Sequence, residues 1–299
     1  MKLLVTGAFG WTEKEIETLR ALGHEVVFMQ QEKSPLPCEA TWVEGIIGNG
    51  IFLSHPIEEF TSLKYIQLTS AGFDRVPMDY VKQHGIAIYN ARGVYSIPMA
   101  EFAVSGVLQL YKKSGYFHEN QKAHKWEKHR GLLELFGKNV CIIGCGSVGT
   151  ECAKRFKVFG CSVIGVDIQP YQNELFDIML PLDSLDEALM QADVTVLTLP
   201  LTEETRHFIN TECFAVMKPG AVLVNIARGA VIDTDALIAA LNTRLGGAVL
   251  DVFDDEPLDE HSPLWDMENV IITPHNSFVG EGNSKRLNTI ILNHLEVFV

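Results

Sequence analysis

The sequence is short of basic residues and of long apolar runs, and each shortage excludes a class of protein. It holds 24 lysine and arginine residues against 38 aspartate and glutamate residues, a formal net charge of −14. A surface this negative repels the phosphates of nucleic acids and of anionic membranes, so we expect neither as a partner. No stretch approaches the roughly 20 apolar residues of a membrane span, and the opening MKLLV is shorter than the roughly 7–15 apolar residues of a signal-peptide core. We therefore expect a cytoplasmic protein.

Paired cysteines and metal-ligand motifs are also missing. None of the six cysteines forms a CxxC pair, so we expect reduced thiols that pack as small apolar side chains. His118, His124 and His129 share one polar segment, yet they lack the spacing of a zinc motif. We predict no metal site and interpret this segment as a solvated arm or an interface loop.

Short apolar stretches fall into two groups along the 299 residues, a length that suffices for two domains. Between Met1 and about Asn90, predicted strands such as KLLVT and EVVFM alternate with polar or helical segments. A long helix that begins at Ser96, with a proline early in it, is the predicted bridge to the second group. Between Val140 and Thr273, six near-continuous apolar strands predict a doubly wound sheet. The predicted fold class is α/β, with two Rossmann-like or flavodoxin-like domains built on parallel sheets.

Two glycine-containing turns resemble nucleotide-binding motifs, and the second carries every required feature. GCGSVG, at Gly144–Gly149, follows the strand VCII and precedes a predicted helix. Such a turn needs one glycine for the bend, one for the approach of the pyrophosphate and one for close packing of helix on strand. The next strand ends at Asp167, 18 residues after Gly149, where a carboxylate binds the ribose hydroxyls of NAD and repels the 2′-phosphate of NADP. We predict that this turn binds NAD.

The first turn, within KLLVTGAFGW at Lys2–Trp11, lacks these features. Glu13 stands where the third glycine belongs, and its charge would oppose a phosphate. The following strand, EVVFMQQ, ends in amides rather than in an acidic residue. We therefore interpret Gly7 and Gly10 as parts of a tight structural turn and predict a single nucleotide site.

Three polar side chains follow predicted strands of the second group. Arg228 follows AVLVNI, Glu256 lies just past GGAVLDV, and His275 follows VIITP. Because the carboxyl ends of parallel strands meet at one edge of a sheet, we expect these side chains at the edge that holds the nicotinamide. Together they suit the reduction of a 2-keto acid: arginine binds the carboxylate and polarises the carbonyl, histidine donates a proton, and glutamate orients the imidazole.

With these motifs in place, the sequence resembles the D-isomer-specific 2-hydroxyacid dehydrogenase family over nearly its whole length. The resemblance rests on LKYIQLTSAGFDRV, NARGVYSIPMAEFAV, GCGSVG, PLTEETRHFI, MKPGAVLVNIARGAVID, AVLDVFDDEPL and NVIITPHNS. It implies that Arg228, Glu256 and His275 are the catalytic residues of an NAD-dependent dehydrogenase that reduces a small 2-keto acid to the D-2-hydroxy acid. The alternative, within the same fold, is an NAD-responsive corepressor-like binding protein.

The resemblance also implies a set of binding residues. The cofactor would be bound by Gly144, Gly146, Ser147, Val148, Gly149, Asp167, Pro200, Thr205, Ala227, Arg228 and Asp251, the last of these at the nicotinamide amide. The substrate would be bound by Ser70, Ala71, Gly72, Arg228 and His275, with backbone amides of the first three at its carboxylate. The loop Asn49-Gly50 is either a further carboxylate-binding loop or an ordinary turn. Arg92 and Tyr95 are either contacts to the substrate tail or hinge residues.

Finally, the resemblance implies a discontinuous first domain and a cleft between the two domains. The substrate-binding domain would comprise residues 1–97 and 278–299, and the NAD-binding domain residues 98–277. Closure of the cleft would exclude water from the path of the hydride. Family members usually dimerise through the cofactor domain, so we expect a homodimer to which the segment 118–130 contributes.

Overall fold

The computed structural model describes residues 1–298, and the chain divides into two compact units. The first unit joins Met1–Tyr95 to the segment that begins at Gly280, and the second is Ser96–Val279. The domain boundaries drawn from the sequence lie two residues from these positions, and Val299 lies outside the described residues. No helix within residues 1–298 combines enough length with enough apolar character to cross a bilayer.

The first unit is built on a five-stranded parallel sheet. Its elements up to the domain boundary are β1 (Lys2–Thr6), α1 (Glu13–Ala21), β2 (Glu25–Met29), β3 (Gly45–Gly48), β4 (Tyr65–Leu68), α2 (Met78–Gln83) and β5 (Ala87–Tyr89). The strand order is β2-β1-β3-β4-β5, the flavodoxin-like order. Every residue of β3 and β4 is buried, as expected for parallel strands that are covered on both faces and therefore read as continuous apolar runs.

The second unit is built on a seven-stranded parallel sheet. Its elements are α3 (Ser96–Tyr111), α4 (Ser114–Lys122), β6 (Asn139–Ile143), α5 (Ser147–Val158), β7 (Ser162–Asp167), β8 (Ile178–Pro181), α6 (Leu185–Gln191), β9 (Val194–Leu197), α7 (Thr211–Val216), β10 (Val222–Asn225), α8 (Thr234–Thr243), β11 (Gly247–Leu250) and β12 (Val270–Ile272). The strand order is β12-β11-β10-β9-β6-β7-β8. The direction of winding reverses between β6 and β9, the point outside which α/β sheets bind ligands. The six strands expected from the sequence are present, and β8 is an additional edge strand whose sequence IMLP is short and partly exposed.

The chain returns to the first unit through α9 (Asn283–Leu295), whose apolar face completes a core cluster there. Leu287, Ile291 and Leu295 recur at helical spacing and are fully buried. They pack in one cluster with Leu3 and Val5 of β1. The first unit therefore depends on its C-terminal helix for part of its core.

The polar segment at 118–130 begins as a helix and continues as an exposed arm. α4 ends at Lys122, and residues 123–134 adopt neither helix nor strand. Trp126 is 98% exposed and Phe136 is 78% exposed. Large apolar side chains presented to solvent in this way are typical of surfaces that bind another chain.

The cysteines behave as small apolar residues. All six are free thiols, and five of them are buried. Burial raises the pKa of Cys152 to about 12 and that of Cys161 to about 11, because the thiolate is poorly solvated inside a protein. These two thiols therefore stay protonated and unreactive near neutral pH.

Candidate active site

The glycine turn between β6 and α5 has the shape that a dinucleotide requires. Gly144 has a left-handed φ of 91°, and a Cβ atom built on it would lie 2.7 Å from the backbone nitrogen of Leu199. A Cβ on Gly149 would lie 2.2 Å from the carbonyl oxygen of Gly144, whereas a Cβ on Gly146 would meet no described atom within 4 Å. The bend and the helix packing therefore require the first and third glycines, and the second leaves open space beside the backbone.

The amino end of α5 is suited to an anion. Its N-cap residue is Gly146, and no side chain among the described residues caps the helix. The first N–H groups of a helix lack intrahelical partners and carry the positive end of the helix dipole. The hydroxyl of Ser147 is engaged with the hydroxyl of Ser96 at 3.1 Å, so the backbone N–H groups of Ser147 and Val148 are the donors that suit a pyrophosphate.

Asp167 lies directly beside this turn, at the end of β7. One of its carboxylate oxygens accepts the N–H of Cys145 at 2.7 Å, and the other accepts the N–H of Gln169 at 3.2 Å. Each oxygen has a further lone pair that can accept from a ribose hydroxyl. Sequence reasoning missed Tyr171, whose hydroxyl donates to the carbonyl oxygen of Cys145 at 2.7 Å and braces the turn. Its only sequence signal is an aromatic residue four positions after the acid.

The opening turn between β1 and α1 is built differently. Thr12 and Glu15 form a capping box, in which the Thr12 hydroxyl accepts the N–H of Glu15 at 3.4 Å and the Glu15 carboxylate accepts the N–H of Thr12 at 2.7 Å. The backbone N–H groups of Thr12 and Glu15 are therefore bonded to side chains of the protein and are not free to bind a phosphate. A Cβ on Gly7 would lie 2.2 Å from the carbonyl oxygen of Gln30, so this glycine allows the close approach of the adjacent chain segment. These contacts favour the interpretation of KLLVTGAFGW as a structural turn.

His275 and Glu256 form a hydrogen-bonded pair beyond the carboxyl ends of β12 and β11. Nδ1 of His275 lies 2.9 Å from Oε2 of Glu256, and the two side chains are 43% and 38% exposed. The other carboxylate oxygen of Glu256 accepts the N–H of Phe253 at 3.1 Å. Because the carboxylate fixes Nδ1, Nε2 is the ring nitrogen that can serve a ligand.

Asp251 organises the loop that carries His275. It is fully buried, and its carboxylate accepts the hydroxyl of Thr273 at 2.6 Å and the N–H groups of Asn276 and Ser277 at 2.7 and 2.9 Å. Its backbone carbonyl accepts the N–H of His275 at 2.7 Å. These bonds hold His275 at a φ of 52°, a left-handed conformation that is strained for a residue with a side chain. The sequence did not reveal this role of Asp251, and its contact with a nicotinamide amide stays a prediction.

Arg228 lies in the loop after β10, which packs directly on the loop after β11. A Cβ on Gly229 would lie 1.8 Å from the carbonyl carbon of Phe253, so the two backbones are in contact. The side-chain amide of Asn225 fixes the first loop, since it donates to the carbonyl of Arg228 and accepts the N–H of Ala227, both at 3.0 Å. The guanidinium of Arg228 donates to the carbonyl of Ala227 at 2.8 Å. The loops of the three predicted catalytic residues thus meet at the carboxyl edge of the second sheet.

The loop after β9 is closed by Thr205. Its hydroxyl donates to the carbonyl of Pro200 at 2.8 Å and accepts the N–H of Thr202 at 2.7 Å. Thr205 therefore shapes the segment that the sequence assigns to the cofactor. At the end of this segment, Nε2 of His207 lies 3.6 Å from the carboxylate of Asp254, a link between the loops after β9 and β11 that sequence reasoning did not find.

The substrate loop predicted in the first unit follows β4. Its carbonyl groups are fixed by side-chain donors: that of Ala71 accepts from the amide of Asn90 at 2.6 Å, and that of Gly72 accepts from the hydroxyl of Ser70 at 3.3 Å. The hydroxyl of Tyr95 donates to a backbone carbonyl at the start of the same loop. Tyr95 therefore supports this loop, and the backbone amides of Ser70, Ala71 and Gly72 stay the predicted ligands of the substrate carboxylate.

The sequence leaves two interpretations of the loop Asn49-Gly50, a carboxylate-binding loop or an ordinary turn. Its contacts favour the ordinary turn. The N–H groups of Asn49 and Gly50 both donate to the carboxylate of Glu32, each at 2.7 Å. The hydroxyl of Thr6 donates to the same carboxylate at 2.7 Å. The amides that would have bound a substrate carboxylate are therefore already bonded to a carboxylate of the chain itself.

Known proteins are similar in sequence to most of this chain. A family model described as D-isomer specific 2-hydroxyacid dehydrogenase, NAD binding domain, matches residues 104–277. The D-3-phosphoglycerate dehydrogenase of Methanocaldococcus jannaschii is 35% identical over 80% of this chain and 46% of its own length. The hydroxypyruvate reductase of Blautia hydrogenotrophica is 34% identical over 81% of this chain and 77% of its own length. The chain spans about half the length of the first of these relatives.

A solved structure shares the architecture. The glyoxylate reductase from Paecilomyes thermophila superimposes with a TM-score of 0.85 at 28% identity, and the match covers 99% of this chain and 94% of that one. The α/β fold class with two parallel-sheet units, predicted from the sequence, is thereby confirmed.

Proposed function

Because this chain belongs to the D-isomer specific 2-hydroxyacid dehydrogenase family, we propose that it reduces a small 2-keto acid to the D-2-hydroxy acid with NADH. The observation that carries this proposal is the 2.9 Å pair of His275 and Glu256. It lies in the unit that contains the glycine turn, at the edge of the sheet where α/β proteins bind their ligands. A histidine held by a carboxylate is the proton donor that reduction of a carbonyl requires.

NAD fits the residues around α5. The space beside Gly146 and the N–H groups of Ser147 and Val148 would hold the pyrophosphate, and Asp167 would accept the ribose hydroxyls. Further cofactor contacts are proposed for Gly144, Gly149, Pro200, Thr205, Ala227, Arg228 and Asp251. Bound NADH supplies the hydride. Asp167 would oppose the 2′-phosphate of NADP, because like charges repel, so the proposed cofactor is NAD.

The substrate carboxylate needs local donors, because the protein as a whole is strongly acidic. Arg228 presents a planar guanidinium that can pair with a carboxylate through two hydrogen bonds and polarise the adjacent carbonyl. We assign the other donors to the backbone amides of the loop Ser70–Gly72. Oriented N–H groups bind an anion without adding a full charge.

Proton transfer is assigned to His275. With Nδ1 held by Glu256, the proton leaves from Nε2 to the substrate oxygen as that oxygen gains negative charge. Glu256 keeps the ring in one orientation and compensates the positive charge of the protonated imidazole. Asp251 keeps the backbone of the loop in place. In the oxidation direction the same nitrogen accepts the proton of the hydroxyl group.

The proposed assembly is a homodimer formed through the second unit. The arm at 123–134 and the nearby Phe136 present apolar side chains to solvent, with Trp126 almost fully exposed. Aromatic side chains are enriched at the cores of protein interfaces. Sedimentation of the full chain, compared with a W126S variant, tests this assignment.

The decisive experiment for the activity is NADH oxidation, followed by absorbance, with glyoxylate, pyruvate, hydroxypyruvate and a branched 2-keto acid. We expect turnover of at least one of these acids and formation of the D-product. A protein that binds NADH tightly yet reduces none of them would be a binding protein of the same fold, and the proposed activity would be wrong.

A further inference from the structure

We propose that Glu32 selects substrates whose only anionic group is the keto-acid carboxylate and rejects those with a second anionic group on the tail. This inference rests on the proposed function and names its substrate class. The names of the relatives leave that class open. One relative is a dehydrogenase of D-3-phosphoglycerate, which has a phosphate on its tail, and another is a reductase of hydroxypyruvate, which has none.

Glu32 sits at the carboxyl edge of the first sheet. Its carboxylate is bonded to the hydroxyl of Thr6, which ends β1, and to the backbone N–H groups of Asn49 and Gly50, which follow β3. All three distances are 2.7 Å. Three short bonds from two strand ends fix the position of this negative charge.

That edge adjoins the loop proposed to bind the substrate carboxylate. β3 and β4 are parallel neighbours with Gly48 opposite Leu68, and the N–H of Thr69 donates to the carbonyl of Gly48 at 2.9 Å. Adjacent strands lie about 4.8 Å apart, so the turn that Glu32 holds and the loop that begins at Ser70 emerge side by side. A substrate tail that extends from this loop toward β3 meets the carboxylate of Glu32.

The backbone donors of this turn are already bonded to Glu32. The backbone N–H groups of Asn49 and Gly50 both donate to Glu32, so they are not available to an anion. A cation does lie nearby, since a Cβ on Gly50 would be 3.6 Å from Cδ of Arg75. The side chain of Arg75 is exposed, so water and salt screen its attraction for a phosphate. Glu32, held by three hydrogen bonds, is the negative charge with a fixed position here, and like charges repel, so it opposes a phosphate or sulfonate.

The test compares kcat/KM for hydroxypyruvate and for 3-phosphohydroxypyruvate, two acids that differ by one phosphate. We expect the wild-type enzyme to prefer hydroxypyruvate by at least about tenfold, and E32Q to reduce that preference by about tenfold or more. E32D keeps the charge and should keep the preference. E44Q is the matched control, because Glu44 also accepts a backbone N–H, that of Lys2 at 3.0 Å, but at the other end of β3; its preference should equal that of the wild type.

Each outcome separates the inference from the activity on which it rests. If the wild type prefers the phosphorylated acid, the proposed function stands and the role of Glu32 is wrong. If E32Q and E32D change the preference equally, Glu32 is only a clamp for the turn, and the inference is again wrong. If the wild type reduces none of a panel of keto acids, the proposed function itself fails. The ratio of the two kcat/KM values does not depend on the fraction of enzyme that folds, so the substrate preference of a partly destabilised variant can still be measured.

Discussion

The backbone N–H of His275 donates to the backbone carbonyl of Asp251 at 2.7 Å, and the carboxylate of Asp251 binds the N–H groups of the two residues that follow His275. The position of the histidine is therefore fixed twice, at its backbone by Asp251 and at its ring by Glu256. Asp251 is buried, whereas the side chains of His275 and Glu256 are partly exposed. Substitutions at the three residues should accordingly have different effects.

Replacement of His275 by alanine should lower kcat by about 10²–10⁴-fold, the usual contribution of a general acid. The affinity for NADH, measured by fluorescence titration, should change little, because the proposed cofactor contacts do not include this side chain. H261A is the control, since His261 is an exposed histidine of the same unit. A large loss of NADH binding in H275A would show that the residue is misassigned.

Replacement of Asp251 by asparagine should reduce both stability and turnover. The amide cannot accept all of the hydrogen bonds that the carboxylate receives, and an unsatisfied buried group costs about 1–3 kcal/mol of unfolding free energy. Urea unfolding and kcat should both decline. D254N, which removes an exposed carboxylate three residues away, should cost at most about 1 kcal/mol. Equal effects of the two variants would contradict the role given to Asp251.

The two glycine turns allow a matched test of the single nucleotide site. A Cβ on Gly146 or on Gly10 would meet no described atom within 4 Å, so alanine at either position should leave the melting temperature nearly unchanged. G146A should weaken NADH binding by about tenfold or more, because the methyl group enters the space assigned to the pyrophosphate. G10A should bind NADH as the wild type does. Weaker binding in G10A would mean that the opening turn takes part in nucleotide binding after all.

Replacement of Asp167 by alanine should reduce the preference for NADH over NADPH. The change removes a negative charge that opposes the 2′-phosphate and an acceptor for the ribose hydroxyls. The ratio of kcat/KM values for the two cofactors should fall by about tenfold. An unaltered ratio would remove Asp167 from the ribose site.

Acid should destabilise the first unit through His294. Its Nδ1 lies 2.7 Å from the side-chain oxygen of buried Gln67, and burial lowers the pKa of His294. The unfolded chain, whose histidines titrate at about pH 6.5, then binds the proton more tightly than the folded chain does. This contribution to stability is present above pH ~6.5 and is lost as the pH falls toward the lowered value. Urea unfolding at pH 7.5 and 5.5 should show a smaller difference for H294Q than for the wild type, whereas H84Q, at an exposed histidine, should resemble the wild type.

The sequence predicted the strands and the glycine turn because burial and backbone geometry leave strong local patterns there. Strands covered on both faces are apolar throughout, and a GxGxxG turn followed by a helix and by an acidic strand end is a specific pattern. The edge strand β8 was not predicted because it is only four residues long and ends in proline. The sequence also predicts three site residues, Arg228, Glu256 and His275, because each follows a recognisable strand.

The contacts of Glu32 and Asp251 could not be predicted in the same way. Glu32 bonds to residues 26 positions before it and 17 and 18 positions after it, and acidic residues in loops are common on any protein surface. The family resemblance predicts Asp251 as part of the site, but which of its oxygens bonds to which N–H depends on the backbone of the folded loop. Such roles arise from tertiary contact between loops, which leaves no periodic signal in the chain.

Within residues 1–298 no side chain caps the amino end of α5, so a cofactor bound there would stabilise the folded state. A ligand that binds only the folded state adds RT ln(1 + [L]/Kd) to the unfolding free energy, about 2.7 kcal/mol at one hundred times Kd. The helix α1 completes its own first turn with Thr12 and Glu15 and gains nothing from such a ligand. We therefore expect NADH to raise the free energy of unfolding of this chain through the second unit, which contains α5, and not through the turn that precedes α1.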